Sequence, residues 1–403
     1  MSKREKGKLE MLREGRMKKI SAIKLVIVLI CVMLSTNVYA DLKIEEYFDG
    51  LTPQSHVNKL YPNERKDELK KGILNYDDIE DLIHLYNPEI LNNWNSWENN
   101  KSSQDIYNDY QDAADILFSS AGNQDSDMQE AMIKAQGTAM QIQADKNASD
   151  SYTNFLNNYL VENQLVLNTK ILDLNYQKCA YEMLNAEESV KEAERKEDTA
   201  NSAFQYGSGT QLDLLNAKKS VADAKSALII AESNQKTHKR NLLINCGKAM
   251  SDSIYITPID LEVGYDVFSI DLANDYQYAL VHNIQREIYR RKIENARTEE
   301  VKNEFKILYD TSDEKIFNDL EKKYSNILDA ADTVNNKLIA YNLANDNLNK
   351  AKNEYEHGNI SLKEFKTAEY NVVIARNNMQ SSKYDLKIAV ETYKYAAKGF
   401  GDC

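Results

Sequence analysis

After Gly358, the residues Phe365, Val372, Met379, Leu386 and Tyr393 recur every seven positions. Ala368, Ala375, Ser382, Ala389 and Ala396 form a second row three positions on. Before Gly358, Leu320, Ile327, Val334, Tyr341, Leu348 and Tyr355 keep the same interval. Such rows return to one face of a helix, and small residues in one of them let two helices approach closely. A strict seven-residue repeat predicts a left-handed supercoil. A weaker set flanks Gly207. Leu172, Cys179, Ala186, Ala193 and Ala200 precede it; Leu214, Val221 and Leu228 follow, beside Ala217, Ala224 and Ala231. The four prolines stand at 53, 62, 88 and 258, which leaves long proline-free runs of good helix formers.

The two glycines sit in stretches that align at a shift of 151. Phe204/Tyr355, Gly207/Gly358, Thr210/Ser361, Asp213/Glu364 and Ala217/Ala368 fall in register. A glycine after a long helical pattern suits the left-handed position that ends a helix. Three residues later Thr210 or Ser361 can cap the next helix, and the acid three positions on completes a capping box. Each stretch therefore reads as the tip of an antiparallel helical hairpin. The fold class is all-α: duplicated long coiled-coil hairpins in one elongated bundle, rather than several compact domains.

Residues 1–40 read as a secretory leader, with Met17 as the better start. Met17-Lys18-Lys19 is basic, Leu25 to Leu34 is apolar, and Val38-Tyr39-Ala40 is a cleavage site. The whole chain of 403 residues carries a formal charge of −13, and the leader contributes nine basic and three acidic side chains. The exported part is thus near −19, which disfavours nucleic acid and anionic lipid as partners.

The rest divides into a loosely structured lead-in over 41–73, a first repeat over 74–247, a linker over 248–270 and a second repeat over 271–403. Leu74 to Asn87 reads as a short amphipathic helix, and Asn87-Pro88 stops it and starts the next. Trp94 and Trp97 read as packing anchors. Residues 89–119 and 127–147 are expected to be helical, followed by long helices over 151–205 and 210–246, the latter ended by Gly247. The Ile254-Tyr255-Ile256 run suggests a short strand. The second repeat is expected as a helix over 271–308, a turn at 309–313, a helix over 313–356 and its return over 361–397.

Chemistry-bearing patterns are sparse. Cys179, Cys246 and Cys403 form no disulfide framework, and Cys179 on the small-residue row is expected to be buried. The histidines at 56, 84, 238, 282 and 357 never pair at helical spacing, so no metal ligand is assigned. No nucleophile–base pair or phosphate-binding loop is present, and the chain reads as a non-enzyme without a cofactor. His357 reads as a solvated residue at a helix end, and Tyr341 and Tyr393 as core.

The tip pattern resembles the signature of the TolC-type outer-membrane efflux family: an aromatic, Gly at +3, Ser/Thr at +6, an acid at +9 and Ala at +13. The doubling, Asn87-Pro88 and the closing glycine of the first repeat fit as well. The resemblance spans about residues 74–400. It implies a homotrimer of twelve helices forming a hollow tube, whose tips dock a membrane-fusion adaptor protein that links it to an inner-membrane pump. Phe204, Gly207, Thr210, Asp213, Tyr355, Gly358, Ser361 and Glu364 would form the docking end and entrance. Glu364 would add a ring of carboxylates there, a role compatible with capping.

Two departures stand out. Gly209 replaces an apolar residue such as Ile360 of the second tip, which suggests a looser first tip. The family also inserts a β-hairpin between the two long helices of each repeat, and no alternating stretch of nine to eleven residues is present for it. The expectation is a helical tube without barrel strands, exported to the cell envelope: the outer membrane by resemblance, the cell surface or wall zone if the barrel is absent. The alternative is an exported coiled-coil scaffold or adaptor that conducts nothing.

Overall fold

A computed structural model describes residues 56–57, 59, 61–100, 106–122, 126–146, 150–249, 253–259, 261 and 270–403. The leader expected at 1–40 and the first part of the expected lead-in lie outside them. The elements are α1 (Asn63–Lys70), β1 (Ile73–Leu74), a 3₁₀ turn (Tyr76–Asp78), α2 (Ile79–Tyr86), α3 (Pro88–Asn100), α4 (Ile106–Ala121) and α5 (Asp127–Lys146). Then come α6 (Ser151–Gln205), α7 (Gln211–Asn245), β2 (Tyr255–Ile256), α8 (Leu272–His282), α9 (Ile284–Asn295), α10 (Glu299–Glu356) and α11 (Leu362–Tyr395), closed by a π-helical turn at Ala396–Phe400.

Two helices run the length of the molecule. The 55 residues of α6 and the 58 of α10 span about 80 and 85 Å at ~1.5 Å per residue. Each folds back at a tip, α6 onto α7 and α10 onto α11, and α6 also packs on α11. The four helices therefore stand in the order α7–α6–α11–α10. Their seven-residue rows face inward: Val221, Leu320, Ile327, Met379 and Tyr393 are buried, while Val334, Tyr341 and Leu348 nearer the second tip are half-buried. Between the hairpins polar contacts join aromatic ones, such as Tyr181 against Tyr384. Asn185 exchanges amide bonds with Asn377 and Asn378 at 3.0 and 2.9 Å, and Lys178 meets Asp385 at 2.7 Å.

Away from the tips, α7 and α11 are shorter than their partners, and short helices continue their lines. Asn87 joins α7 to α3. Its Oδ1 accepts from the backbone N–H groups of Glu89 and Ile90, capping α3, while its Nδ2 donates to the carbonyl of Asn245 at 2.8 Å. One side chain thus satisfies orphan groups of two helix ends. Asn283 does the same in the second half, accepting from Arg286 N–H and donating to Gly401 O. The main apolar core lies at this level, built from Leu82, Ile83, Trp94, Trp97, Phe155, Leu156, Leu242 and Ile288 among others. A second cluster joins α8 to α10 and α11 through Leu272, Tyr276, Ile316 and Tyr393.

Several boundaries differ from the sequence reading. Part of the lead-in is ordered as α1. Leu74 belongs to β1 rather than to a helix, and β1 pairs in parallel with the linker strand, Ile73 with Tyr255 and Leu74 with Ile256. The stretch 89–119 falls in two helices. The expected helix over 271–308 breaks at Asn283 and again at Ala296–Thr298, whereas 309–313 lies inside α10 and is not a turn. The polar run there survives in a helix because its hydroxyls bond back to the preceding turn, Thr311 to Ile307 O and Ser312 to Tyr309 O. Ser312 is buried and also accepts from Arg286 Nε.

Among the described residues β1 and β2 are the strands, and α4 and α5 occupy the place where a β-hairpin was sought. Helix α5 passes so close to α4 that a Cβ on Gly137 would stand 2.9 Å from the Phe118 ring. The junction after this pair is fastened to the second half. Asp145 accepts from Arg297 N–H at 2.9 Å and from Thr298 N–H and Oγ1 at 2.6 Å, so it caps α10 from across the chain. Asp150 caps α6 and also takes Arg291 and Asn295. Asp145→Ala should cost about 2 kcal/mol, the upper range for a lost cap. Denaturant unfolding, with proteolysis at 296–298 as a local readout, checks this; an unchanged midpoint would remove the cross-chain cap.

Candidate functional site

The eight residues singled out in the sequence gather at one end of the molecule in two separate turns. Gly207 and Gly358 both have φ of +72°. Each follows a Schellman arrangement: Gly207 and Ser208 N–H donate to Phe204 and Ala203 O, and Gly358 and Asn359 N–H to Tyr355 and Glu354 O. The restart is a capping box in both. Thr210 Oγ1 accepts from Asp213 N–H at 3.1 Å while Asp213 Oδ2 accepts from Thr210 N–H and Oγ1. Ser361 and Glu364 repeat the exchange. These bonds hold both exposed carboxylates below their ordinary range.

The tips differ in their packing. Tyr355 stacks on Phe365 across the second turn, with centroids 5.2 Å apart and planes within 8°. Gly209 is not loose: a Cβ there would stand 3.0 Å from that of Ala203, so the first turn folds tightly onto its own helix. Arg195 of α6 pairs with Glu192 and donates to Lys363 O and Thr367 Oγ1 of α11. With Asn185 facing Asn378, that register sets Gly358 about two residues, ~3 Å, short of Gly207, so the tips are nearly level. Around them Phe204, Tyr206, Leu212, Leu215, Tyr355 and Leu362 are exposed. His357 is solvated, its Nδ1 against Asn353 O.

Sequence spacing missed a second constellation, at the opposite end. Glu162 of α6 lies 2.9 Å from His56 Nε2 and 2.7 Å from His84 Nδ1, and accepts from Trp94 Nε1 at 2.9 Å. Burial pushes this carboxyl up, but the two histidine hydrogen bonds outweigh it and hold it at about 2. These partners lie 106, 78 and 68 positions from Glu162, beyond any helical spacing rule. Only the Trp94 anchor was legible. Cys179 is buried as expected, and burial pushes its thiol up to about 11.

Four antiparallel helices in one row, two of them running full length with both turns at one end, define the class of fold: a TolC-like arrangement of long helical hairpins. Solved structures share the shape. A membrane protein from Pseudomonas aeruginosa, 11% identical, matches over 64% of this chain and 73% of its own with a TM-score of 0.50. The outer-membrane channel OprN, 10% identical, matches over 65% and 72% with a TM-score of 0.48. The outer membrane protein VceC of Vibrio cholerae, 12% identical, matches over 65% and 75% with a TM-score of 0.45. At these identities the likeness is one of fold, and the two lower scores add no weight. No family model and no curated protein matches the sequence. Among the described residues no helix is long and apolar enough to cross a membrane.

Proposed function

We propose that this chain is one subunit of a trimeric export conduit of the cell envelope, secreted by its leader and built on an internal duplication. The observation that carries the proposal is the state of the row's two edges. Helix α7 exposes Ile229, Ile230 and Ile244, and α10 exposes Leu338, Ile339 and Leu343. Both edges are open in a single chain. Pairing α7 of one copy with α10 of the next covers both and closes on itself. Three rows of four helices then enclose an axis.

In this reading the tips form the inner mouth. The exposed aromatic and leucine side chains around Gly207 and Gly358 offer apolar anchors to a membrane-fusion adaptor that couples the tube to a pump. The rigid caps hold those anchors in place, and Asp213 and Glu364 surround the opening with carboxylates while capping their helices.

The test is the mass and shape of residues 41–403 in solution. Light scattering should give three chains per particle, and end-on electron-microscope views a hollow ring. Ile229→Lys with Ile339→Lys should yield single chains of unchanged helicity. A monomeric wild type would sink the conduit; a trimer solid along its axis would make the protein a scaffold.

A further inference from the structure

The Glu162 cluster offers a ligand set that the conduit does not use. His56 comes from the lead-in, His84 from α2 and Glu162 from α6, and their donor atoms all lie within 4.8 Å of one another. The two imidazoles cross at 71° with centroids 4.9 Å apart, so their nitrogens approach the carboxylate from different directions, as ligands around one centre do. His84 and Glu162 are buried, whereas the His56 side chain keeps 15% of its surface, leaving one side open to solvent.

We propose that His56 Nε2, His84 Nδ1 and the Glu162 carboxylate bind one divalent transition-metal ion. Two imidazoles and a carboxylate form the open type of Zn²⁺ site, with water in the fourth position. Nitrogen donors favour Co²⁺, Ni²⁺, Cu²⁺ and Zn²⁺ over Mg²⁺ and Ca²⁺, which take oxygen ligands. The surroundings are those of a metal ligand rather than a bare ion pair. Trp94 Nε1–H donates to Glu162 Oε2, the oxygen that also faces His56 Nε2, and orients the carboxylate. The rings of Trp94, Tyr159 and Phe155 stand 5.2, 4.9 and 6.0 Å from that of His56 and wall the site with apolar surface.

Binding changes no covalent bond. Each imidazole gives one nitrogen lone pair to the ion and keeps a proton on its other nitrogen. A doubly protonated ring first releases one proton to solvent, so affinity falls with falling pH. The bound ion would staple the lead-in at residue 56 to α2 and α6, tying the chain's start to the helical body.

Residues 41–403, stripped with a chelator and dialysed, should be titrated with Co²⁺ and Zn²⁺. The expected result is one ion per chain, with the visible absorption of four-coordinate cobalt. Zn²⁺ at about a hundred times its Kd should raise the unfolding midpoint by about 5 °C. His56→Ala, at the open rim, should weaken binding at least tenfold with helicity unchanged. Trp94→Phe, which keeps a ring and loses the N–H, should weaken it about tenfold. No saturable binding by wild type of full helicity overturns the site, as does equal binding by wild type and His56→Ala. The particle mass on the same sample tests the trimer separately.

Discussion

Gly399→Ala should destabilise the protein by about 4 kcal/mol, the far tail of single substitutions. Gly399 has φ of +94°, and a Cβ there would stand 2.0 Å from the carbonyl oxygen of His282 and 3.1 Å from Asn283 N. The obstacle is backbone, which has no rotamer to yield. Gly247 repeats the situation at φ +62°, with Tyr86 O at 2.1 Å, so Gly247→Ala should cost a similar amount. Both glycines sit where the end of a returning helix crosses the Asn-capped junction of two short ones. Gly358→Ala supplies the control. Its φ is also positive, but nothing lies within 4 Å of the added carbon, so only the backbone preference of about 1 kcal/mol is lost. Denaturant midpoints of the three variants at constant slope check the ranking. If all three cost the same, conformation alone matters and the close approach is wrong.

Asp173→Asn should flatten the pH dependence of stability by about 3 kcal/mol between pH 4 and pH 8. Asp173 is fully buried on α6. Its Oδ1 accepts from Gln177 Nε2 at 2.8 Å, and among the described residues its Oδ2 has no partner. Burial pushes the carboxyl up from 3.8 to about 6, and the Gln177 bond offsets only part of that. The sign follows from linkage. A carboxyl with a raised folded pKa binds its proton more tightly in the folded state, so its contribution is most favourable below about 3.8. That advantage is lost as pH rises and is gone above about 6, a change of about 3 kcal/mol at roughly 1.4 per unit. The amide has no charge to desolvate. Relative to wild type, Asp173→Asn should therefore gain about 3 kcal/mol on going from pH 4 to pH 8. Parallel curves for the two proteins would mean that the carboxylate is solvated.

The caps were legible because they are local. Thr210 with Asp213 and Ser361 with Glu364 act three positions apart, and Gly207 and Gly358 act on the turn they occupy, so a short window holds the whole interaction. The seven-residue rows were legible because a helix repeats its faces within a few turns. The break before α10 was not. Its cap is Asp145, 153 positions from Thr298, while the polar stretch at 309–313 that looked like a turn finds partners in its own helix and in Arg286. Gly209, read as a loosening, marks a tight approach to Ala203. The parallel pairing of Leu74 with Ile256 escaped notice because one partner looked like the start of a helix.

By itself the sequence determined the helical class, the two bends and their caps, since periodicity, left-handed glycine and side-chain-to-backbone bonds act over a few residues. The tertiary structure alone decided which helices lie side by side, where α10 begins, that Gly247 and Gly399 admit no side chain, and that His56, His84 and Trp94 converge on Glu162. Those outcomes depend on which surfaces are buried together. Chain separations of 68 to 153 positions carry no trace of that choice until the seams have paired.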